Sequence, residues 1–318
     1  MYVVTGASGF IGSCVVAGLN ERGIDDILVV DRLESDDKYK NLIGLTMDDY
    51  MDKEDFIVAL EAGSFDGKIK GIIHMGACSA TTELDATFLM GNNYKYTQRL
   101  ALWCLQHHVR YIYASSAATY GDGSKGYSDE CDLKELEPLN PYGFSKSLFD
   151  LWAERKGVLS KMVGLKFFNV YGPREDHKAD MRSVIHKSYG QIKAVGEVKL
   201  FKSHRPDYKD GEQLRDFVYV KDVVKVILFF LDHPEQNGIF NVGTGEARSF
   251  KDLVTATFQA MGHQPNIQYI DMPEDLQPRY QYYTQAEMGK LRAAGYTEAF
   301  SSLEDGIKDY VQTYLDKR

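Results

Sequence analysis

Residues 5–12 read TGASGFIG and directly follow the short apolar run YVV. This stretch holds three evenly spaced glycines, Gly6, Gly9 and Gly12. Where a strand turns into a helix, one glycine permits the sharp turn, one lets the backbone approach a diphosphate, and one lets the helix pack closely on the strand. A helix that begins near Phe10 directs its free amide groups at the same anion. The stretch therefore predicts a strand, a phosphate-binding turn and a helix.

An acidic residue ends the next apolar run and indicates what the turn binds. Asp31 follows the run ILVV, 19 residues after Gly12, where a carboxylate meets the adenosine ribose of a dinucleotide. Asp31 by itself favours NAD, because a carboxylate repels the 2′-phosphate of NADP. The cations Arg32, Lys38 and Lys53 can clamp a 2′-phosphate if Asp31 turns aside. These residues predict a dinucleotide site and leave both cofactors open, with a slight preference for NADP.

Strand-like and helix-like segments alternate through the first half of the chain. Apolar runs predict strands at 2–4, 27–30, 41–45, 70–76 and 109–116. Helical patterns lie between them at 10–21, 53–62 and 92–107. The runs ILVV and GIIH are apolar throughout, as expected of strands covered on both faces. This order predicts an α/β fold with a doubly wound parallel sheet, a Rossmann domain.

The second half of the chain has a different pattern. It is rich in turns, and the sequence predicts helices near 181–195, 220–232, 249–261 and 302–315, with a mixed-charge loop at 202–213. We expect a smaller mixed α/β domain that binds the substrate. The predicted division gives 1–168 plus 216–244 to the cofactor-binding Rossmann domain and 169–215 plus 245–318 to the substrate-binding domain.

Composition limits the possible partners. The 318 residues are 44% apolar and 26% charged, an ordinary globular composition, and the formal net charge is −9. A net negative charge argues against nucleic acid or an anionic membrane surface as a partner. No apolar run approaches the ~20 residues needed to cross a bilayer. The four cysteines share no metal-ligand spacing, so we expect no metal, no disulfide framework and a cytoplasmic location.

The segment NPYGFSK carries the candidate catalytic pair. Tyr142 and Lys146 are four residues apart and lie on one face if the segment is helical. An ammonium near a phenol lowers the pKa of the phenol, so Tyr142 can take a proton from a substrate hydroxyl while a hydride leaves the adjacent carbon. Ser116, at the end of the predicted fifth strand, can hydrogen-bond the same oxygen. Together with the glycine-rich turn, these residues give the extended short-chain dehydrogenase/reductase pattern.

Further motifs narrow the resemblance. MGACSATTE, NNYKY, YASSAATYG, FNVYGPREDHK, LRDFVYVKDV, FNVGTG and TQAEMGKLRAAGY occur in order along nearly the whole chain. With the motifs above, they resemble the ADP-L-glycero-D-manno-heptose 6-epimerase family. The resemblance implies epimerisation at C6 of ADP-D-glycero-D-manno-heptose to the L-glycero epimer, for lipopolysaccharide core precursor synthesis. It also implies one NADP per subunit rather than NAD, and a homo-oligomer, a homopentamer.

Carried over position by position, the resemblance implies three groups of site residues. Two acid/base residues, Tyr142 and Lys178, are assisted by Ser116 and Lys146. The cofactor residues implied, together with the three glycines, are Phe10, Ile11, Asp31, Arg32, Lys38, Lys53, Met75, Gly76, Ala77, Cys78, Ser79, Asn92, Lys146, Val170 and Lys178. The substrate residues implied are Asn169, Asp180, Lys187, Phe201, Lys202, Ser203, His204, Arg215 and Tyr280.

Two bases suit an inversion at carbon. Removal of hydride from C6 gives a planar ketone, which must turn over before hydride returns to its opposite face. The ketone oxygen then lies near a different proton donor, so Tyr142 can serve one orientation and Lys178 the other. Lys178 needs a lowered pKa for this role, and neighbouring cations such as Arg174 can provide it.

The sequence departs from the family pattern at a few positions. Asp180 and Lys187 stand where the family often has a small residue and a histidine, and Met75 replaces an acidic residue. The insertion SHRPDYKDGEQ lengthens the loop before LRDF. These departures concern substrate contacts more than the reaction.

Two other functions stay open. A UDP-sugar 4-epimerase of the same superfamily would act at a ring carbon and leave Lys178 without a catalytic role. A dinucleotide-sensing binding protein on the same fold would not need the tyrosine, lysine and serine that this chain retains. A nucleotide-sugar dehydratase is disfavoured, because Ala117 and Ala118 stand where that class carries an Asp-Glu pair.

Overall fold

The computed structural model describes residues 1–34, 37–274, 277 and 280–317. The strands are β1 (Tyr2–Thr5), β2 (Ile27–Asp31), β3 (Asp49–Asp52), β4 (Gly71–His74), β5 (Arg110–Ser116), β6 (Val163–Phe167), β7 (Asn169–Tyr171), β8 (Val198–Phe201), β9 (Leu214–Tyr219), β10 (Gly238–Val242), β11 (Ala247–Ser249) and β12 (Ile267–Ile270). The helices are α1 (Phe10–Glu21), α2 (Lys53–Glu61), α3 (Ala86–Leu89), α4 (Tyr96–His107), α5 (Pro141–Arg155), α6 (Val184–Val195), α7 (Val220–Asp232), α8 (Phe250–Ala260), α9 (Gly289–Ala293) and α10 (Leu303–Asp309). Within those residues, no helix is long and apolar enough to span a membrane.

A parallel sheet organises the larger part of the chain. Within the described residues it has seven strands in the order β10-β6-β5-β4-β1-β2-β3. Every neighbouring pair is parallel. The chain runs outward from β1 to β3 and then returns to β4 beside β1. This reversal opens a crevice at the carboxyl ends of β1 and β4, where such folds bind ligands. The α/β fold predicted from the sequence is confirmed.

The strands of this sheet are covered on both faces, as their apolar sequences predict. Val4 and Val29 belong to a core cluster that includes residues of α1 and α7. The next residues in register, Val3 and Leu28, belong to a second cluster with residues of α2 and α4. Successive strand side chains point to opposite faces, so β1 and β2 each contribute to both layers of core.

The second half of the chain supplies two small sheets, β11-β9-β7 and β12-β8. The loop at 202–213 joins β8 to β9, as the charge pattern predicts. The strand β10 returns to the large sheet beside β6. The division into two domains given above stays a prediction.

The prediction of a strand at 41–45 is wrong. A 3-10 segment, Asp37–Leu42, and a turn occupy this region, and the third strand is β3, with the sequence DYMD. β3 lies at the edge of the sheet and is only partly covered, so it needs no apolar run. Leu42 and Leu45 instead pack as partly buried side chains against the main core.

Two further helical predictions change in their limits. The helix expected at 92–107 begins earlier, because α3 and a π-helical turn, Met90–Lys95, run directly into α4. The helix expected at 302–315 is α10 continued by a π-helical turn, Tyr310–Leu315.

Candidate active site

The glycine-rich turn leaves space that a side chain would fill. Gly6 has a φ of +65°, and a Cβ there would lie 2.6 Å from the Cα of Gly76 at the end of β4. A Cβ on Gly12 would overlap the carbonyl oxygen of Gly6. The amide of Gly9 donates to that same carbonyl at 3.0 Å. The turn is therefore a backbone-lined cradle at the start of α1, and its shape fits a dinucleotide diphosphate.

A cleft of about 600 Å³ lies beside this cradle at the carboxyl ends of the strands. It brings together many of the residues that the sequence singled out, from both halves of the chain. The members of that set that line it are Gly6, Gly9, Phe10, Ile11, Gly12, Asp31, Lys38, Met75, Gly76, Ala77, Ser79, Ser116, Tyr142, Lys146, Asn169, Val170 and Lys178.

Asp31 is held by neighbouring groups at the far end of this cleft. Its Oδ2 accepts from the backbone amide of Ser8 at 2.9 Å, and its Oδ1 lies 3.4 Å from Lys38 Nζ. Of the three predicted cations, Lys38 lines the cleft. Arg32 instead pairs with Glu34. The carboxylate of Asp31 is therefore partly neutralised beside a cleft-lining lysine.

Lys53 and Asn92 bond to each other outside the residues that line the cleft. The Nζ of Lys53 donates to Asn92 Oδ1 at 2.5 Å and also lies over the ring of Tyr96. Cys78 also stays outside the lining, and its backbone is fixed by Asn93.

Helix α5 carries the Tyr142 and Lys146 pair. Asn140 caps the helix by accepting from the amide of Gly143 at 2.8 Å, and Pro141 occupies its first turn. Both side chains reach the cleft, where Lys146 Nζ donates to the carbonyl of Ala114 at 2.8 Å. Burial lowers the pKa of Lys146 to about 8, and Asp150 opposes this shift.

The pKa of Tyr142 differs from the expectation that an ammonium would lower it. Burial raises the pKa of Tyr142, and the group that opposes this shift is the hydroxyl of Ser116, through a hydrogen bond. Lys146 directs its ammonium at the Ala114 carbonyl instead. In this arrangement, Ser116 is the side chain that favours the phenolate.

Asn93 is a positioning residue that the sequence analysis did not identify. It lies in the π-helical turn before α4 and is buried. Its Oδ1 accepts from the amide of Cys78, and its Nδ2 donates to the Cys78 carbonyl, both at 2.9 Å. The same Nδ2 donates to Ser145 Oγ on α5 at 3.1 Å. Asn93 therefore ties the loop after β4 to the helix of Tyr142, and the only sequence signal is the pair NN.

Lys178 enters the cleft from the other half of the chain. It lies in the 3-10 segment Asp176–Met181, with its ammonium 5.2 Å from the centre of the Phe10 ring. Burial lowers the pKa of Lys178, and the carboxylate of Glu175 opposes the shift. The direction matches the expectation, and its cause is burial rather than a neighbouring cation such as Arg174.

Most of the substrate residues implied by the resemblance are not among the residues that line the cleft. Asn169 lines it. Arg215 is buried between the rings of Phe250 and Tyr280, with its guanidinium 5.7 and 5.2 Å from their centres, and Phe250 lines the cleft. The others that do not line the cleft are Asp180, Lys187, Phe201, Lys202, Ser203 and His204.

The structure shows the surroundings of four of these residues, Asp180, Lys187, Lys202 and His204. Asp180 and Lys187 are exposed. In the loop after β8, the amide of His204 donates to the hydroxyl of Tyr282 at 3.0 Å, and Lys202 pairs with Asp271 at 3.0 Å.

The cleft has further walls that the sequence did not predict. The 3-10 segment and the start of α6 contribute His177, Met181, Arg182, Ser183, Val184 and Ile185. These residues reach the cleft because this segment folds back against the first half of the chain. A local sequence pattern does not predict such a contact between segments that are distant in the chain.

Comparison with known proteins agrees with this geometry. Residues 2–243 match the NAD dependent epimerase/dehydratase family. The chain is 55% identical over 316 residues to an ADP-L-glycero-D-manno-heptose-6-epimerase of Nitratidesulfovibrio vulgaris strain Hildenborough, covering 99% of this chain and 98% of that protein.

Two solved structures of epimerases also resemble the chain. A crystal structure of ADP-L-glycero-D-manno-heptose-6-epimerase from Helicobacter pylori is 31% identical, with a TM-score of 0.81, covering 98% of this chain and 95% of that one. A UDP-glucose 4-epimerase of Thermus thermophilus in complex with NAD is 27% identical, with a TM-score of 0.77, covering 98% and 97%. The chain belongs to the NAD dependent epimerase/dehydratase family, within its ADP-L-glycero-D-manno-heptose-6-epimerases.

Proposed function

We propose that this protein interconverts ADP-D-glycero-D-manno-heptose and ADP-L-glycero-D-manno-heptose by oxidation and re-reduction at C6. The observation that carries the proposal is that Tyr142 and Lys178 line one cleft from opposite halves of the chain, beside a dinucleotide cradle. The family membership supports the same activity. The product would serve lipopolysaccharide core precursor synthesis.

The residues of the cradle fit a nicotinamide dinucleotide, because the glycines leave room for a diphosphate against bare backbone. A bound nicotinamide would supply reversible hydride transfer at the substrate carbon. NADP is the proposed cofactor rather than NAD, one per subunit. Lys38 in the cleft and the engaged carboxylate of Asp31 support this choice, since they remove the repulsion that a 2′-phosphate would meet.

The protein's own groups hold and move the proton. Tyr142 takes or gives the proton of the C6 oxygen in one orientation of the substrate, and Ser116 bonds the phenol and favours its ionised form. Lys178 performs the same transfer in the other orientation, and its burial favours the neutral amine that a base requires. The ketone must turn between the two groups, and the open cleft between them gives it space.

A second candidate activity, that of a UDP-sugar 4-epimerase, would use the same site differently. A UDP-sugar 4-epimerase would use a ring carbon and Tyr142 alone, and solved relatives of that class share the fold. The presence of a partly buried, cleft-lining lysine at position 178 favours the two-base reaction.

The test is to incubate the purified protein with each ADP-heptose epimer and follow their interconversion. Tyr142→Phe should lower the rate by about 10²–10⁴-fold, the usual contribution of an acid/base group. Lys178→Met should also abolish turnover, with cofactor still bound in both variants. Normal turnover in Lys178→Met would remove the two-base reaction. Normal turnover in Tyr142→Phe would remove the enzyme assignment, and UDP-hexose conversion would support the alternative.

We also propose that the protein acts in the cytoplasm as a homo-oligomer, a homopentamer by its resemblance to the family. Light scattering of the purified protein tests the assembly, and a monomer mass would contradict it.

A further inference from the structure

Asn41 joins three segments of the chain at the edge of the cleft. It lies in the 3-10 segment Asp37–Leu42 and is buried. Its side-chain Nδ2 donates to the carbonyl of Ser8, in the glycine-rich turn, at 3.0 Å. The same group donates to the carbonyl of Arg174 at 2.9 Å and lies 3.2 Å from Nδ1 of His177. The guanidinium of Arg174 returns a hydrogen bond to the backbone carbonyl of Asn41.

Asn41 binds the stretch of residues 174–181, which carries Lys178 and is called the Lys178 segment. Two of its residues have positive φ although neither is glycine, Arg174 at +75° and Ala179 at +45°. Such conformations are strained and persist where surrounding contacts hold them. The bonds from Asn41 fall just before Lys178, so they hold the strained backbone at the point where the lysine leaves it.

We propose that Asn41 is a positioning residue for Lys178, and that it fixes the Lys178 segment against the cofactor half of the cleft. The inference rests on the proposed function, because it assigns Lys178 a proton transfer. Asn41 makes its contacts through backbone carbonyls and a ring nitrogen and does not line the cleft itself. We expect its effect on the reaction to pass through Lys178, with the bond to Ser8 anchoring Asn41 to the glycine-rich turn.

The same 3-10 segment reaches the cofactor end of the cleft. Lys38 lies on it and contacts Asp31 at 3.4 Å. Within this segment, Lys38 contacts Asp31 and Asn41 bonds the segment that carries Lys178. These contacts connect the Lys178 segment to the first half of the chain, which carries the glycine-rich turn.

The test compares two asparagines. Asn41→Leu has a similar volume and no polar group, and Asn41→Asp keeps the size but loses both donors. Asn20→Leu is the matched control, because Asn20 also bridges loops in the same domain, donating to the carbonyls of Ile24 (3.1 Å) and Thr46 (2.9 Å). It touches no part of the Lys178 segment in these bonds.

Trypsin gives a readout that needs neither substrate nor cofactor. Cleavage after Arg174 and Lys178, measured by mass spectrometry of the native protein, should become at least tenfold faster in the Asn41 variants. Asn20→Leu should leave these two sites at the wild-type rate. Unchanged cleavage at both sites in both Asn41 variants, or an equal rise at sites across the whole chain, would overturn the inference.

Single-turnover kinetics give the second readout. Each epimer is mixed with the holoenzyme, and reduction of the bound cofactor is followed by absorbance. In the Asn41 variants, oxidation of one epimer should slow at least tenfold more than oxidation of the other, and the slowed epimer should be the one that Lys178→Met affects most. Equal slowing of both epimers contradicts the positioning role. If the wild-type protein converts neither epimer, the proposed function fails, and the trypsin result still decides the role of Asn41 in the fold.

Discussion

At the residue scale, the charge beside Lys178 sets the pH at which it can act. Glu175 is fully buried, and its carboxylate accepts from the amide and hydroxyl of Ser183 at 2.6 Å and from the hydroxyl of Tyr310 at 3.0 Å. The same carboxylate raises the pKa of Lys178 against the lowering effect of burial. Burial and the adjacent anion therefore act in opposite directions on one amine.

This balance predicts the effect of Glu175→Gln on the pH profile. Lys178 accepts a proton only as the neutral amine, so the rate of oxidation of its epimer rises as pH increases through its pKa. Removal of the anion lowers that pKa further, so the rising limb of kcat/KM should move to lower pH. Stability should fall by about 1–3 kcal/mol, because hydrogen bonds to a buried charge weaken.

A second glutamate serves as the control for this shift. Glu304 forms an exposed pair with Arg248 at 2.6 Å. Glu304→Gln should leave the limb in place. A limb that moves to higher pH in Glu175→Gln, or moves equally in both variants, would contradict the assignment of this limb to Lys178.

The sequence points to the candidate catalytic residues but not to the residues that hold them in place. The spacing of Tyr142 and Lys146 on one helix indicates their proximity, because α5 is continuous. Asn41 and Asn93 act through contacts with segments more than a dozen residues away. Such contacts exist only after the sheet and loops have assembled, so no local pattern predicts them.

At the element scale, the strand-turn-helix unit is the part that the sequence predicts best. Its three glycines, its helix and the acid after the next strand all depend on local geometry, and α1 has the predicted limits. The third strand was missed because β3 pairs at the sheet edge and shows no apolar run. Prediction therefore works where burial and turn geometry leave a local pattern, and fails where only pairing defines the element.

Gly12→Ala tests the geometry of this unit. Its Cβ would overlap the carbonyl oxygen of Gly6, a backbone atom that cannot move without displacing the turn. We expect at least a tenfold loss of affinity for the proposed cofactor NADP and a destabilisation of about 1–3 kcal/mol from overpacking. Fluorescence titration with NADPH measures the affinity, and urea unfolding measures the stability.

Gly190→Ala is the matched control, because Gly190 lies within α6 and a Cβ there would meet no atom within 4 Å. It should stabilise the protein by about 0.5–1 kcal/mol, since alanine favours a helix over glycine, and leave NADP affinity unchanged. Equal affinities in the two variants would show that the turn does not need a glycine at position 12.

At the scale of the whole molecule, a buried ion pair joins the sheet to the helix of Tyr142. Lys166 on β6 and Asp150 on α5 lie 3.1 Å apart, and both side chains are almost completely buried. Asp150 also accepts from Tyr113 at 2.9 Å and Ser115 at 2.7 Å, both on β5. Three neighbouring elements thus meet at one carboxylate directly beneath the cleft.

Removing one partner of this pair should destabilise the entire fold. Lys166→Met leaves a buried carboxylate without its counter-charge, so we expect a loss of about 3–5 kcal/mol in the free energy of unfolding. Adding Asp150→Asn to this variant should recover part of the lost stability. The amide has no charge that would be left buried without a partner, and it can still bond the two hydroxyls.

Lys202→Met is the control, since its pair with Asp271 is exposed, and it should cost less than about 1 kcal/mol. Urea unfolding measures these three variants and the single variant Asp150→Asn. A Lys166→Met variant as stable as Lys202→Met, or a double variant that loses the full sum of the two single losses, would show that the pair does not connect these elements energetically.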